Sequence, residues 1–252
     1  MKKIILSIFT VTTLGSFAQN VSIPNANFKA YLVDNTAINT NMDTEIQVSE
    51  ANAFTGTIEV DGQGPFVVSD LTGISSFINL TELICPFNGI NSLDLTANTK
   101  LLKIVCDFNS LSTLDVSSCT LLRELSCSEN ALTSIDVSQN DSLISLGCGY
   151  NNINTNTIDV SSNLKLEELY CNHLAITDLD VSQNTALTKF NCRNTSISNL
   201  NVANGNNSNF TTFNAINTSN LTCIEVDDAN YSATNWTNID AQTSFSETVC
   251  CA

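Results

Sequence analysis

Charge is scarce in this sequence, and positive charge most of all. Charged residues make up 13% of the 252 positions, with 9 Lys or Arg against 25 Asp or Glu and a formal net charge of −16. Nucleic-acid binding needs clustered Lys and Arg to neutralise phosphates, so this shortage excludes it. Attraction to anionic membrane surfaces is excluded on the same ground. Histidine occurs once, as His173. One imidazole cannot supply both a metal cluster and a catalytic base. No nucleophile elbow, phosphate loop or zinc-ligand spacing occurs, and the carboxylates fall in regular columns rather than converging. The expectation is a protein without enzymatic activity. Past residue 18 no apolar run is long enough to cross a bilayer, so no membrane insertion is expected.

Residues 1–18, MKKIILSIFTVTTLGSFA, read as a secretory signal. Lys2 and Lys3 form its positive start, Ile4 to Leu14 its apolar stretch, and Ser16-Phe17-Ala18 a small-residue cleavage site. The expected location is secreted, either extracellular or on the cell surface, with the periplasm an alternative. Loss of Lys2 and Lys3 takes the net charge from −16 to about −18.

Cysteine, by contrast, is plentiful and periodic. Cys85, Cys106, Cys127 and Cys148 recur every 21 residues; Cys171 follows after 23 and Cys192 after 21. A fixed period of this size marks a solenoid, in which each repeat is one structural unit stacked on the last. The unit 122–140, LRELSCSENALTSIDVSQN, shows the pattern. Leu122, Leu125, Cys127, Asn130, Leu132, Ile135 and Val137 have counterparts at the same offsets in the units before and after. In L-x-C the first and third residues of a short strand point inward and the middle one outward. Stacked units then form a parallel sheet, one strand each.

The L-x-x-L-x-C-x-x-N-x-L spacing resembles the leucine-rich-repeat family, and the L-T-x-L-D-V-S-x-N-T wording resembles its secreted Bacteroidetes-type (Flavobacteria-type) members. The resemblance covers nearly the whole chain. It implies an α/β-type leucine-rich-repeat solenoid with a parallel sheet on the concave face and a mostly irregular or 3-10 convex side. It also implies surface or extracellular interaction proteins. The domains expected are the signal over 1–18, an N-terminal cap over 19–70, repeats over 71–220 and a C-terminal cap over 221–252.

Ten cysteines in a secreted chain would ordinarily suggest a disulfide framework. Six of them instead form one inward column, where parallel side chains on adjacent strands give poor bridging geometry and cysteine behaves as a small hydrophobe. Cys119, at a position where other units have Asn98, Asn140, Asn163 and Asn184, reads as another buried thiol. Cys223 lies past the last good repeat, and a bridge to Cys250 or Cys251 would pin the C-terminal cap, stabilising by roughly 3 kcal/mol.

The N-terminal cap carries one chemical motif. Residues 39–50, NTNMDTEIQVSE, place Asn39, Asn41, Asp43, Glu45, Ile46 and Glu50 at positions one, three, five, seven, eight and twelve of an EF-hand or dockerin-like calcium loop. A helix over Asn25–Val33 precedes it and Ser49–Ala53 can begin another. Two departures weaken the match: position one is Asn, and position six is Thr44 rather than Gly. The alternative is an Asx-rich turn between two cap helices with no ion. No other cofactor is expected.

Two surface columns complete the reading. Asp94, Asp115, Asp136, Asp159 and Asp180 occur once per unit, and local capping of the following turn is the favoured explanation. Just after each strand stand Phe87, Phe108, Glu129, Tyr150, His173 and Asn194. The outward strand positions beside them include Ile84, Val105 and Tyr170. Such an exposed patch marks an interaction site, so Ile84, Phe87, Val105, Phe108, Tyr150, Tyr170 and His173 are the candidate partner-binding residues. The function expected is protein–protein interaction through the concave sheet by a monomer. The alternative is an adhesive or structural module that binds polysaccharide and is stabilised by calcium.

Overall fold

The computed structural model describes residues 19–64 and 67–250. The secretory signal read over 1–18, and Cys251, lie outside the described residues. The chain begins with two short helices, α1 (Ala26–Asp34) and α2 (Val48–Ala53). Asn25 caps α1 by accepting from the Phe28 N–H, which satisfies one of the donors a helix start leaves unpaired. Phe28 and Leu32, four residues apart, share the buried face.

Twelve three-residue strands follow: β1 (Thr57–Glu59), β2 (Glu82–Ile84), β3 (Lys103–Val105), β4 (Glu124–Ser126), β5 (Ser145–Gly147), β6 (Glu168–Tyr170), β7 (Asp178–Asp180), β8 (Lys189–Asn191), β9 (Asn199–Asn201), β10 (Thr212–Asn214), β11 (Cys223–Glu225) and β12 (Ser244–Ser246). Eight of them form one parallel sheet in the order β1-β2-β3-β4-β5-β6-β8-β10. Register is uniform: Leu83 faces Ile104, Ile104 faces Leu125, and Leu125 faces Leu146. The cysteine of each turn follows its strand directly. Cys85, Cys106, Cys127, Cys148, Cys171 and Cys192 are all fully buried and free, as is Cys119. Ala215 replaces the ladder cysteine in the next turn and is also fully buried.

Asparagine stitches the turns together. The Asn130 amide donates to the carbonyls of Cys106, Cys127 and Ser128, and its oxygen accepts from the Leu111 N–H. Asn88, Asn109 and Asn151 make the same set of bonds one turn earlier or later. A second ladder, Asn98, Asn140, Asn163 and Asn184, is fully buried and donates to carbonyls one turn back. Every turn contains backbone groups that would otherwise be buried without partners, and these amides supply them.

The opposite side of the solenoid divides in two. In the C-terminal half it gathers a second parallel sheet, ordered β12-β11-β9-β7, an addition to the irregular side expected from sequence. In the N-terminal half the equivalent x-Leu/Ile-Asp segments, such as Thr113-Leu114-Asp115, form no strand. β11 and β12 carry the second sheet past residue 220, and helix α3 (Ala229–Asn235) lies between them. Cys223 and Cys250 form a disulfide with Cα atoms 5.9 Å apart. Trp236 closes the end of the core, stacked on Phe213 at 4.0 Å between ring centroids and edge-on to Phe245. No helix among the described residues is long and apolar enough to cross a membrane.

Candidate functional site: the rim of the long sheet

The column after the strands is built on unusual backbone. Phe87, Phe108, Glu129, Tyr150, His173, Asn194 and Asn217 all have positive φ, between 52° and 60°. The left-handed region costs L-residues roughly 1–2 kcal/mol each, and Gly or Asn usually takes it. The last two positions follow that rule. The first five do not. Strain of this kind persists where surrounding bonds enforce it; here the Asn ladder and the sheet fix each turn.

The side chains at these positions stack along the solenoid axis. The Phe87 and Phe108 rings lie 4.4 Å apart at 13°, and both are substantially exposed, 40% and 46%. Their positions abut the cap backbone: Gly62 donates to the Pro86 carbonyl, and a Cβ on Gly62 would overlap the Phe87 carbonyl. Tyr150 and His173 stack at 3.8 Å and 16°, with Tyr150 38% exposed. The Asn194 amide nitrogen lies 2.9 Å from His173 Nε2. With that amide donating, Nε2 accepts and the ring proton sits on Nδ1. Glu129 separates the two aromatic pairs.

Ile84 and Val105 pair across β2 and β3 on the outer face, next to Phe87 and Phe108. Tyr170 lies further along, its hydroxyl 3.3 Å from Glu168. Burial raises the Tyr170 phenol above its ordinary range, with the Glu168 charge adding to this. The outer face is also crossed by two ion pairs, Lys103–Glu124 and Glu168–Lys189, each at 2.6 Å. The seven candidate residues therefore fall into an apolar group at the N-terminal end (Ile84, Phe87, Val105, Phe108) and an aromatic-polar group further on (Tyr150, Tyr170, His173). Sequence reading found both columns but missed the left-handed backbone beneath the rim. Asn194 and Asn217 were its only local signal.

A hollow lies on the other side. A groove of about 690 Å³ runs over the N-terminal turns, lined by Asp70, Asp94, Asp115 and Asp136 with Ser92, Thr113 and Ser134. Each of Asp94, Asp115 and Asp136 accepts from the N–H two residues on, as capping predicts. The Thr96 and Ser117 hydroxyls, with those N–H groups, hold Asp94 and Asp115 below the usual carboxylate range; the Ser138 N–H leads for Asp136.

The loop over 39–50 is closed by its own hydrogen bonds. Its left-handed residue is Met42 (φ 59°), at position four, whereas the ion-binding conformation needs its sharp turn at position six, here Thr44. Glu50 is engaged at both oxygens, by Thr40 N and Oγ1, by Asn41 N and by Gln47 N. Asp43 accepts from Glu45 N, Asn41 and Gln47. Glu45 pairs with Lys29, and the Asn39 amide donates to Val33 and Asp43 carbonyls. The Asp43 and Glu50 carboxylates are engaged within the loop, whereas the buried Asn39 Oδ1 has no hydrogen-bond partner. Among the described residues no cluster of three or more His, Cys, Asp or Glu is arranged to hold a metal.

No protein-family profile and no curated protein sequence matches this chain. Solved structures do. The functional domain of InlJ from Listeria monocytogenes, described as including a cysteine ladder, superposes with a TM-score of 0.69 at 31% identity over 83% of this chain. This chain spans 52% of that domain's length. The leucine-rich-repeat protein LIC12759 from Leptospira interrogans matches with a TM-score of 0.50 at 15% identity, over 69% of this chain and 56% of that one, and bears on the fold alone. With the stacked parallel turns, the buried cysteine column and the asparagine ladders already described, the fold is a leucine-rich-repeat solenoid whose structural neighbours are bacterial.

Proposed function

We propose that this chain is an extracellular binding module that takes a protein partner on the N-terminal end of its long sheet. One observation carries the reading: the stacked Phe87 and Phe108 rings stand exposed on left-handed backbone beside Ile84 and Val105. Contiguous exposed apolar side chains on a folded surface mark interaction sites, and aromatic anchors dominate binding energy where they occur. The stacked-repeat fold, shared with a bacterial domain that also has a cysteine ladder, supports an interaction role, since solenoids present long regular surfaces. A secreted location accords with the Cys223–Cys250 bridge, since such bonds persist in oxidising compartments. Catalysis is no part of this reading. The loop over 39–50 is read as a hydrogen-bonded clasp for the cap rather than an ion site.

The double variant Phe87→Asn, Phe108→Asn tests this. Asn occupies the same backbone position at Asn194 and Asn217, so the turns tolerate it. Cross-linking capture with the wild-type domain from the surface fraction of its source cells should yield a protein that the double variant fails to capture. Equal capture by both would sink the proposal.

A further inference from the structure

The cysteine ladder has one longer step, and it sits beside a hollow. The step from Cys148 to Cys171 is 23 residues where the other four steps of the cysteine ladder are 21. The extra residues lie between Ile153 and Ile158, a span that the preceding unit covers from Leu132 to Ile135. Asn154 through Thr157 are exposed as a result. In repeat proteins such insertions map to loops on one face, often the binding face. Here the inserted segment borders a hollow of about 470 Å³ on the rim of the long sheet, within the size range of small-ligand sites.

The lining of that hollow is chemically selective. Asn152, Asn154, Asn194, Ser196 and His173 supply its polar groups, and Ile153 and Leu174 are buried in its floor. No charged side chain lines it. Each carboxamide offers both a donor and an acceptor, which is what a hydroxyl group requires. His173 is held in place by the Asn194 amide on one edge and by the Tyr150 ring on one face. Tyr150 and His173 also sit on left-handed backbone that Asn would occupy at lower cost, so two flat rings are kept at this corner against the local preference of the chain.

The geometry points to a binding site for a neutral saccharide, with ring C–H groups against the His173 imidazole, which the Tyr150 ring backs, and hydroxyls on the Asn152, Asn154 and Asn194 amides. An amide-lined, uncharged hollow with one imidazole in its wall fits a polyhydroxyl ring better than an acidic glycan, which would find no cation in the lining, or a peptide, whose apolar side chains would meet amides. This site lies at the other end of the rim from the apolar contact proposed above and does not depend on it.

His173 is the only histidine, so its imidazole gives one resolved NMR signal. The test is titration of the intact domain with a panel of neutral hexose and N-acetylhexosamine oligosaccharides, followed by that signal and by calorimetry, with an acidic oligouronate as control. A neutral oligosaccharide is expected to shift the His173 signal saturably. Tyr150→Asn should weaken its binding at least tenfold, about 1.4 kcal/mol, while leaving the fold intact. The Phe87→Asn, Phe108→Asn variant should bind it as the wild type does. No saturable shift up to about 10 mM of any neutral oligosaccharide, equal binding of the oligouronate, or unchanged binding by Tyr150→Asn would each overturn the assignment.

Discussion

The Tyr150 ring lies flat on the His173 imidazole, 3.8 Å between centroids, and both residues hold left-handed backbone one turn apart. The pair illustrates how this solenoid uses its regularity. Each turn presents the same backbone geometry at the same place, so side chains at that place stack whether or not the backbone suits them. Stacking returns about 0.5–1.5 kcal/mol per pair, against roughly 2–4 kcal/mol of strain for its two left-handed residues. It offsets part of that cost, and the sheet and the Asn ladder hold the rest.

Glu129 occupies the same kind of position without a ring to stack on. Its φ is 55° and its side chain, half-buried, has no hydrogen-bond or ion-pair partner recorded among the described residues. Glu129→Asn removes the strain and forfeits no stacking. Urea unfolding should show it more stable than wild type by about 1 kcal/mol. A neutral or destabilised variant would show that the turn geometry is not under strain there.

Asn140 is fully buried and donates to the carbonyls of Val116 and Cys119. Position 119, one turn earlier, holds cysteine in the equivalent place. Asn140→Cys should therefore fold, losing about 1–3 kcal/mol for two carbonyls left without donors. Asn140→Asp places a carboxylate against those same carbonyls in a dry core and should cost more, enough to lower the melting temperature well below that of the cysteine variant. If the two variants melt alike, the amide is not serving as a donor.

The 21-residue period was enough to sort inside from outside, because one inward cysteine per turn sets the register of every other residue. That made the long sheet, the buried thiols and the exposed rim legible before any coordinates. Two features were not legible. The backbone at Phe87, Phe108, Glu129, Tyr150 and His173 is left-handed, yet none of these residue types advertises it. The segments Thr113-Leu114-Asp115 and Asn199-Leu200-Asn201 are similar in pattern, yet only the second is a strand. Pairing on that side depends on how closely adjacent turns approach, a property of the stack and not of one unit. The left-handed turn at Met42 in the 39–50 loop was not legible either, since methionine does not advertise it.

Glu50 gives the 39–50 loop a pH dependence. Burial pushes its carboxyl upward, but the Gln47, Asn41 and Thr40 N–H groups and the Thr40 hydroxyl outweigh this and leave it below its ordinary value of 4.5. A carboxyl lowered in the folded state contributes stability above its unfolded value, and that contribution is lost as the pH falls through the folded one. The cap should loosen on acidification below about pH 4.5, while millimolar calcium leaves the melting temperature unchanged. Glu50→Gln should remove the acid dependence and cost about 1–3 kcal/mol at pH 7 through the donors it leaves unsatisfied. A calcium-dependent rise in melting temperature would refute the clasp.

The Cys223–Cys250 bridge spans 27 residues and encloses α3, Trp236 and β12. Reduction, or Cys223→Ser, should destabilise this end by about 3 kcal/mol on the chain-entropy account. Each turn of a solenoid contacts only its neighbours, so the loss should stay local. Trp236, the single tryptophan, is 4% exposed and reports the event directly. After reduction its fluorescence should shift to the red at lower urea than the far-ultraviolet circular dichroism changes. Coincident transitions would mean that the end unfolds together with the whole.

The thiol ladder should make the fold sensitive to alkali. Burial drives Cys85 up to about 12 and Cys119 to about 11 from an ordinary 9.0, and moves Cys106, Cys127, Cys148, Cys171 and Cys192 upward as well. The folded chain therefore keeps these protons while the unfolded chain releases them above pH 9. The unfolded state then binds fewer protons than the native one, so stability is full below pH 9 and falls as pH rises. Each thiol approaches a slope of about 1.4 kcal/mol per pH unit. Seven acting together remove about 10 kcal/mol one unit above their ordinary value, comparable to the whole stability of a typical domain. Circular dichroism should show cooperative unfolding near pH 10, and the seven thiols should resist a thiol reagent at pH 7 until denaturant is added. Replacing Cys106, Cys127 and Cys148 with Ala should lower stability at pH 7 and move the alkaline midpoint upward relative to that lower baseline. A wild-type domain still folded at pH 11 would show that the column is not held as neutral thiols.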